Sequence, residues 1–249
     1  MEKNYSKCGC MGSSNCRESS CNGEHEHHNS CITRVPIFNH LADDQMDEIL
    51  ELTNSMKYKK GEVIYRAGED SDSLYIVRSG KIKIYRLSEA GKEQLVRILY
   101  EGDFTGELAL FSETIHEAYA EAMEETWVCT VRRVDLQALL IKYPSISLKL
   151  LNEFSNRLGE SEKQTTRFAT EKVETRLALY FLEYSDENKS LLFKLPMSRK
   201  DLASFLGTTP ETISRKLLEL EEEGLIMQKP KNEIEIINYE GLKLYCKSM

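Results

Sequence analysis

The chain has 249 residues, of which 41% are hydrophobic and 30% charged, which is enough for one or two globular domains with buried cores. These proportions exclude collagen-like, fibrous and wholly disordered proteins. The 33 Lys and Arg residues are outnumbered by 41 Asp and Glu residues, and the net charge of -8 excludes a broad electrostatic grip on nucleic acid or on membrane surfaces. Any nucleic-acid partner must therefore be contacted through a local surface.

The sequence carries no sign of membrane insertion or secretion. No apolar run approaches the roughly 18 residues that would span a bilayer. Residues 1–16 lack the apolar core of a secretory signal. We therefore expect a soluble, cytoplasmic protein with no membrane partner.

The first 31 residues hold most of the cysteines. Five of the seven fall there: Cys8, Cys10, Cys16, Cys21 and Cys31. Three of the five histidines, His25, His27 and His28, lie in the same segment, and imidazole beside thiolate is typical of transition-metal sites. The segment has almost no large aliphatic side chains and cannot form a core by itself. Without a secretory signal, this clustering predicts metal or redox chemistry, so residues 1–31 are interpreted as a sensory arm.

A strand-rich stretch follows the arm. Short β-strand patterns lie between Gly61 and Val131, separated by turn residues at the spacing of about 8–12 residues typical of antiparallel sandwiches and barrels. The clearest patterns are Val63–Tyr65, Leu74–Val77, Ile82–Tyr85 and Leu95–Leu99. A short helical pattern precedes them, with apolar positions at Met46, Ile49, Leu50 and Met56. Residues 32–145 are therefore predicted to form an antiparallel β-roll that serves as the sensor domain.

After the β-roll the apolar period lengthens to that of a coiled coil. Apolar and small residues recur at alternating steps of three and four, at Leu151, Phe154, Leu158, Ser161, Thr165 and Phe168. A stripe this narrow between charged flanks suits one partner helix better than a wide core. Residues 146–169 are predicted to be a dimerisation helix with these six residues at a homodimer interface. A helix packed on its own domain remains the alternative.

The segment 195–220 predicts two helices with a tight turn between them. Ser198 and Thr209 suit the N-cap positions of the two helices, and Pro210 suits the first position of the second helix. Gly207 suits the left-handed residue that ends the first helix. This arrangement is typical of a helix-turn-helix.

The second of these helices has distinct inward and outward faces. Its apolar positions recur at i, i+4 and i+7, at Ile213, Leu217 and Leu220. Glu211, Ser214 and Arg215 are left facing outward. Arginine bonds the O6 and N7 atoms of guanine, glutamate accepts from the N4 amine of cytosine, and serine is permissive, so this face suits base edges in the major groove.

An ordinary i, i+4 ion pair on a solvated helical hairpin explains the Glu211 and Arg215 pattern equally well on its own. A β-hairpin pattern over residues 225–237 favours a winged module, and residues 170–249 are predicted to be the DNA-binding domain. Thr209, Lys216 and Arg199 complete the predicted DNA contacts, with Lys216 or Arg199 touching phosphate.

A β-roll, a long helix and a winged helix-turn-helix in this order resemble the cyclic-AMP receptor protein/fumarate-nitrate reduction regulator (CRP/FNR) superfamily over residues 35–245. The recognition-helix sequence Glu211–Arg215 resembles the FNR branch, whose Glu, Ser and Arg read TTGAT-type half-sites. The stretch Gly102–Leu110 is similar to the β-roll signature of the superfamily. The resemblance implies an α+β homodimeric regulator, such as an activator, that binds promoter DNA and RNA polymerase. Enzyme motifs such as a P-loop or G-x-S-x-G are missing from the sequence, and no enzyme activity is expected.

The resemblance also bears on the ligand of the β-roll. In the branch that binds cyclic AMP, an arginine that follows the Gly-Glu-Leu signature neutralises the cyclic phosphate. Counted from Gly106, that place falls on Glu117, whose carboxylate would repel a phosphate, although Glu107 of the signature is present. We therefore expect no cyclic AMP binding.

The FNR branch holds a four-iron four-sulfur (4Fe-4S) cluster on three arm cysteines and one β-roll cysteine, which lies in a context similar to Ala122–Cys129. The resemblance assigns Cys129 as one ligand, and thiolates suit iron. Cys16, Cys21 and Cys31 are favoured as the arm ligands because they lie nearest the folded domain. Cys8 and Cys10 are alternates, since the arm departs from the Cys-x2-Cys-x5-Cys spacing of the family.

Three alternatives stay open at this stage. Some FNR-like proteins switch by a dithiol/disulfide pair, which Cys129 could form with Cys31 or Cys21. The arm could instead hold zinc or copper through His25, His27, His28 and Cys31. A metal-buffering protein without specific DNA binding is the remote alternative. The sequence leaves open whether the regulator activates or represses.

Overall fold

A computed structural model describes residues 33–110 and 114–247 of the chain. The sensory arm and its predicted ligands lie outside the described residues: Cys8, Cys10, Cys16, Cys21, His25, His27, His28 and Cys31. Among the described residues, no helix is both long and apolar enough to cross a bilayer.

The N-terminal half is a β-roll preceded by the short helix α1 (Asp43–Glu51). Met46 and Ile49 are buried on α1 as expected, whereas Met56 belongs to the first strand. The strands are β1 (Thr53–Tyr58), β2 (Val63–Tyr65), β3 (Asp70–Ser71), β4 (Ser73–Ser79), β5 (Ile82–Leu87), β6 (Glu93–Leu99), β7 (Phe104–Thr105), β8 (Thr114–Ile115), β9 (Tyr119–Ala122) and β10 (Thr126–Arg132). A 3-10 turn, Glu107–Leu110, follows β7.

These strands pair antiparallel in two four-stranded sheets, ordered β1-β10-β4-β7 and β2-β9-β5-β6, and β3 pairs with β8. All four strand patterns predicted from the sequence lie within β2, β4, β5 and β6. At the bend after β7, Gly106 has φ +84°, and a Cβ there would come 2.4 Å from the carbonyl oxygen of Ser73. Only glycine fits so close to β4 in this conformation. The predicted β-roll is confirmed.

One apolar cluster joins three parts of the sensor half. Val35, Ile37 and Phe38, from the segment that directly follows the arm, are fully buried in it. The same cluster contains Cys129 of β10 and residues of the long helix described next, including Leu150. The segment Val35–Phe38, the β-roll and the long helix therefore share one core.

Two helices lead out of the β-roll, α2 (Arg133–Lys142) and α3 (Pro144–Thr170). Helix α3 has 27 residues and is about 40 Å long. Pro144 occupies its first turn, where the missing N–H costs nothing. The coiled-coil pattern predicted from Leu151 onward lies within this helix, which begins seven residues earlier because Ile146 and Leu150 bury their side chains in the β-roll core.

The C-terminal half is a winged helix-turn-helix. Its elements are α4 (Val173–Asn188), β11 (Leu192–Lys194), α5 (Arg199–Phe205), α6 (Pro210–Glu222), β12 (Ile226–Lys229), β13 (Glu233–Ile236) and α7 (Tyr239–Tyr245). The three strands form a sheet ordered β11-β13-β12, and β12 and β13 make the wing predicted after Gly224. The α+β class and the order of β-roll, long helix and winged helix-turn-helix are confirmed.

The helix-turn-helix is docked on the β-roll. The hydroxyl of Ser204, on α5, accepts a hydrogen bond from the Leu95 N–H at 2.7 Å and donates one to the Glu93 carbonyl at 2.8 Å. Strand β6 lies at the edge of its sheet, where backbone groups would otherwise face solvent. The Ser204 hydroxyl therefore makes hydrogen bonds that a further strand would make with β6, and it connects the C-terminal half to the β-roll.

Candidate functional site

Local capping fixes the position of the recognition helix α6. The Asp201 N–H donates to the hydroxyl of Ser198 at 3.1 Å, and the Thr212 N–H donates to the hydroxyl of Thr209 at 3.3 Å. Pro210 is the first residue of α6, and Gly207 has φ +68°. The caps and the turn predicted from the sequence are confirmed.

The outward face of α6 presents the residues predicted to read bases. Its inward residues Ile213, Leu217 and Leu220 are fully buried. Glu211 and Arg215 are exposed, and Ser214 is half-buried. Arg215 keeps 67% of its side chain exposed although its Nε atom lies 3.8 Å from the Glu219 carboxylate. That surface ion pair is weak enough to be exchanged for a guanine.

The pKa of Glu211 is lowered by hydrogen bonds from its own backbone N–H and from the Thr209 hydroxyl. Because the side chain is an ionised carboxylate at neutral pH, it acts as an acceptor. The cytosine N4 amine is a donor, so the chemistry of Glu211 suits this base.

The other predicted DNA contacts are engaged within the chain. The Lys216 ammonium lies 2.6 Å from Glu219 and 3.6 Å from Glu174, with 17% of its side chain exposed. Arg199 donates to the Gln228 side-chain oxygen at 2.8 Å. Their contacts with phosphate stay predictions.

Lys231, which we did not predict as a site residue, is exposed. This residue lies at the tip of the wing with φ 60°. The sequence did indicate a turn at this position, because Pro230 and Asn232 are residues typical of turns.

In the β-roll, a buried carboxylate is held by two arginines. Glu107 is 8% exposed and lies 2.9 Å from Nη1 of Arg157 and 3.2 Å from Nη2 of Arg97. Arg157, which comes from α3, also donates to the Phe104 carbonyl at 3.0 Å and stacks over the Phe104 ring. Burial raises the pKa of Glu107, but the two guanidinium groups outweigh it and the pKa is lowered. The negative charge of Glu107 is therefore balanced by two arginines of the same chain.

Neither arginine was identified from the sequence, since Arg157 lies beside the apolar stripe of α3 among other charged residues and has no pattern of its own. Glu117 lies elsewhere on the β-roll surface. Its side chain is 61% exposed and forms an ion pair with Arg86. Glu117, which the resemblance places at the position of the phosphate-binding arginine, is thus already paired with a cation.

The thiol of the predicted β-roll ligand Cys129 is fully buried. Its sulfur lies 3.9 Å from the hydroxyl of Ser55 on the neighbouring strand. A buried thiol as a soft donor fits an iron-sulfur cluster, but a cluster needs further ligands. No group of three or more His, Cys, Asp or Glu that could hold a metal occurs in residues 33–110 and 114–247, so the remaining donors would have to come from the arm.

The six residues predicted at the dimer interface lie along α3 but differ in surroundings. Those fully on the exposed surface are Leu151, Leu158, Ser161 and Thr165. Phe154 is half-buried against the cluster that contains Cys129. Phe168 is 39% exposed, and its ring lies against Gly207 and Arg176 of the DNA-binding half. An exposed leucine-lined face on a 27-residue helix suits a second helix.

Comparison with protein families gives two matches. Residues 55–143 match the family model described as "Cyclic nucleotide-binding domain", and residues 175–245 match the "Crp-like helix-turn-helix domain". The two matches correspond to the β-roll and to the winged helix-turn-helix.

Individual relatives are similar over most of the chain. "Probable transcriptional regulator flp" of Lacticaseibacillus casei is 36% identical over 214 residues, which are 86% of this chain and 97% of that protein. "Fumarate and nitrate reduction regulatory protein" of Vibrio cholerae is 32% identical over 204 residues, 80% of each chain. Among solved structures, FixK2 from Bradyrhizobium japonicum has a TM-score of 0.69 at 28% identity and covers 77% of this chain and 96% of its own.

Proposed function

Since this chain belongs to the CRP/FNR family of DNA-binding transcription regulators, we propose that it responds to oxygen or redox state through its N-terminal cysteine arm and Cys129. The signal group that we favour is a 4Fe-4S cluster held by Cys129 and three arm cysteines. The family consists of transcription regulators and the chain is not an enzyme. Relatives named "Anaerobic regulatory protein" and "Fumarate and nitrate reduction regulatory protein" support an oxygen-linked role.

The position of Cys129 is the observation that carries this proposal. Its thiol is buried in the cluster that also holds Val35, only four residues after Cys31. Four residues reach at most about 14 Å, so the length of chain between Cys31 and Val35 allows an arm cysteine to reach the apolar cluster to which Cys129 belongs. This short connection supports the proposal that Cys129 and the arm cysteines act together.

The apolar cluster that contains Cys129 also connects the β-roll to the proposed dimer helix α3. Leu150 of α3 is buried in it, and Phe154 packs against it. A 4Fe-4S cluster, when bound, would supply an oxygen-labile group, and its loss would change the ligation of Cys129. Because protein cores are close-packed, a shift of β10 at Cys129 has to be taken up by these neighbours on α3. The proposed response is therefore a change in how α3 meets its partner.

The DNA side of the proposal follows from α6. We propose that a homodimer places two α6 helices in successive major grooves of a palindromic site with TTGAT-like half-sites. Arg215 pairs with guanine and Glu211 with the complementary cytosine. RNA polymerase is the partner at the promoter that the family implies.

We also propose that cyclic AMP does not bind. Arg97 and Arg157 are already paired with Glu107, and the position of the family's phosphate-binding arginine falls on the acidic Glu117. Both features oppose an anionic nucleotide.

The proposed cluster is tested on full-length protein purified without oxygen. An ultraviolet-visible spectrum with iron and sulfide analysis should give about four irons per chain for a 4Fe-4S cluster. Cys129→Ser should lose this iron, whereas the matched control Cys246→Ser, whose thiol lies near the C-terminus, should retain it. Equal iron content in wild type and Cys129→Ser would contradict the assignment of Cys129.

A dithiol/disulfide switch is the second candidate, favoured by the fact that Cys129 is the one described cysteine in the β-roll core. This switch requires only a single arm cysteine, Cys31 or Cys21. It predicts iron-free protein in which air oxidation removes two titratable thiols, and it predicts that Cys129→Ser prevents this loss. Zinc or copper without sulfide would instead indicate the histidine-containing arm site.

A further inference from the structure

The joint between the long helix and the DNA-binding half is built around one arginine. Helix α3 ends at Thr170 and α4 begins at Val173, so only Glu171 and Lys172 lie between them, both with extended backbone. Arg176 lies one turn into α4. Its position faces both this two-residue linker and the turn of the helix-turn-helix.

The guanidinium of Arg176 joins these two segments directly. Its Nη1 donates to the Glu171 carbonyl at 2.8 Å, and its Nη2 donates to the Leu206 carbonyl at 2.9 Å. Leu206 is the C-cap residue of α5, where carbonyl groups lack helical partners. A planar guanidinium with several fixed donors suits two acceptors at once, which a lysine ammonium does not.

Close packing adds to these hydrogen bonds. The Phe168 ring, on the last turn of α3, lies 5.1 Å from the centre of the Arg176 guanidinium. A Cβ at Gly207 would come 3.1 Å from the same ring, so the turn between α5 and α6 rests on the end of α3. Lys216 of α6 extends the joint, because its ammonium lies 3.6 Å from Glu174 on α4.

From this geometry we propose that Arg176 is a positioning residue that sets the half-site spacing accepted by the dimer. The inference rests on the proposed reading of twofold-symmetric DNA. In such a dimer α3 is fixed by its partner, and the direction of α6 relative to α3 decides where the two reading faces lie. Arg176 lies on α4, away from the reading face, so its role is to hold that direction.

The preferred spacing between the two half-sites measures this positioning role of Arg176 directly. Adding one base pair between half-sites moves one half-site by about 3.4 Å and rotates it by about 34°. A rigid joint cannot follow this change, whereas a loosened joint can. A residue that only stabilises the domain would change the unfolding temperature and all affinities alike, without changing the spacing preference.

The experiment measures fluorescence anisotropy of full-length protein, in its DNA-binding state, on palindromes whose spacer is natural, one base pair longer or one shorter. Wild type should prefer one spacing by at least about tenfold. Arg176→Lys keeps the charge and should reduce this preference to about threefold or less, with the base preference within each half-site retained. Arg86→Lys, an equally conservative change on the β-roll surface, should behave as wild type.

An unchanged spacing preference in folded Arg176→Lys overturns the inference. If Arg176→Lys does not fold, Glu174→Gln tests the same joint, because it removes the carboxylate on α4 that faces Lys216 of α6. A broadened spacing preference in Glu174→Gln supports the inference, and a preference equal to that of wild type overturns it. Wild-type protein without base preference in any half-site would contradict the proposed function itself, which separates the two failures.

Discussion

At Glu107, one carboxylate of the β-roll depends on two arginines for its burial. Removing one partner of a buried ion pair leaves uncompensated charge, so Glu107→Ala should lower the free energy of unfolding by about 3 kcal/mol at pH 7. The exposed pair of Arg86 and Glu117 is the control, and Arg86→Ala should cost no more than about 1 kcal/mol. Urea unfolding measures both values. Equal effects of the two substitutions would show that the buried network does not stabilise the fold.

The sign of the pH dependence follows from the lowered pKa of Glu107. A carboxyl whose pKa is lower in the folded state stabilises the protein above its unfolded pKa, and this contribution is lost as the pH falls through the folded pKa. The difference between wild type and Glu107→Gln should therefore be largest near neutral pH. It should shrink as the solution is acidified below about pH 4.

Arg215 is predicted to contact a base and Arg199 to contact phosphate. Arg215→Ala should cost about 1–3 kcal/mol of binding and relax the preference at one guanine only. Arg199→Ala should weaken all sequences alike and lower the salt slope by about one. A binding series over single-base variants at two salt concentrations measures both effects. If Arg215→Ala weakened every sequence equally, this residue would be a backbone contact.

At the scale of one element, α3 offers an incomplete apolar face. Ser161 and Thr165 lie between Leu158 and Phe168 in the apolar stripe, and they contribute little apolar burial to a helix pair. Ser161→Leu should therefore favour a dimer that persists without the signal. Thr166→Leu, which adds a leucine to the adjacent exposed face, is the matched control and should leave the association unchanged. Sedimentation of the signal-free protein measures the association of both variants. Identical association of the two would show that Ser161 does not lie at the dimer interface.

Elements with a local signal were predictable. Alternating residues gave the strands of the β-roll, and Ser198, Gly207 and Thr209 gave the helix-turn-helix, because capping and turn geometry depend on neighbours in sequence. The predicted helix 146–169 begins two residues after α3 does, but the coiled-coil pattern itself begins only at Leu151 and does not explain the first turns of the helix. Its first two turns bury Ile146 and Leu150 in the β-roll, where the constraint is the core and not a partner helix.

Contacts between distant segments left no sequence signal. Ser204 bonds to Leu95, 109 residues away, and the sequence of α5 does not distinguish this buried serine from one that faces solvent. Arg157 and Arg176 belong to the same class, since each is one charged residue among many on an amphipathic helix. Their roles arise only when the two halves of the molecule meet.

At the scale of the whole molecule, the β-roll matches a cyclic nucleotide-binding family, yet its Glu107 is already paired with Arg97 and with Arg157 of α3. Calorimetric titration of full-length protein with cyclic AMP should show no binding in the micromolar range, because these arginines are already neutralised by Glu107 and the carboxylate of Glu117 repels a phosphate. Micromolar binding together with a gain in DNA affinity would contradict this expectation.

Cys129 lies in the core that the β-roll shares with α3 and with the segment Val35–Phe38, so it is the residue on which the proposed response depends most. The most direct test measures binding of full-length protein to a TTGAT-like palindrome, prepared without oxygen and again after exposure to air. Wild type should lose affinity in air by at least about tenfold, and Cys129→Ser should bind with the same affinity in both conditions. An oxygen response that survives in Cys129→Ser would contradict the claim that this thiol links the arm to DNA binding.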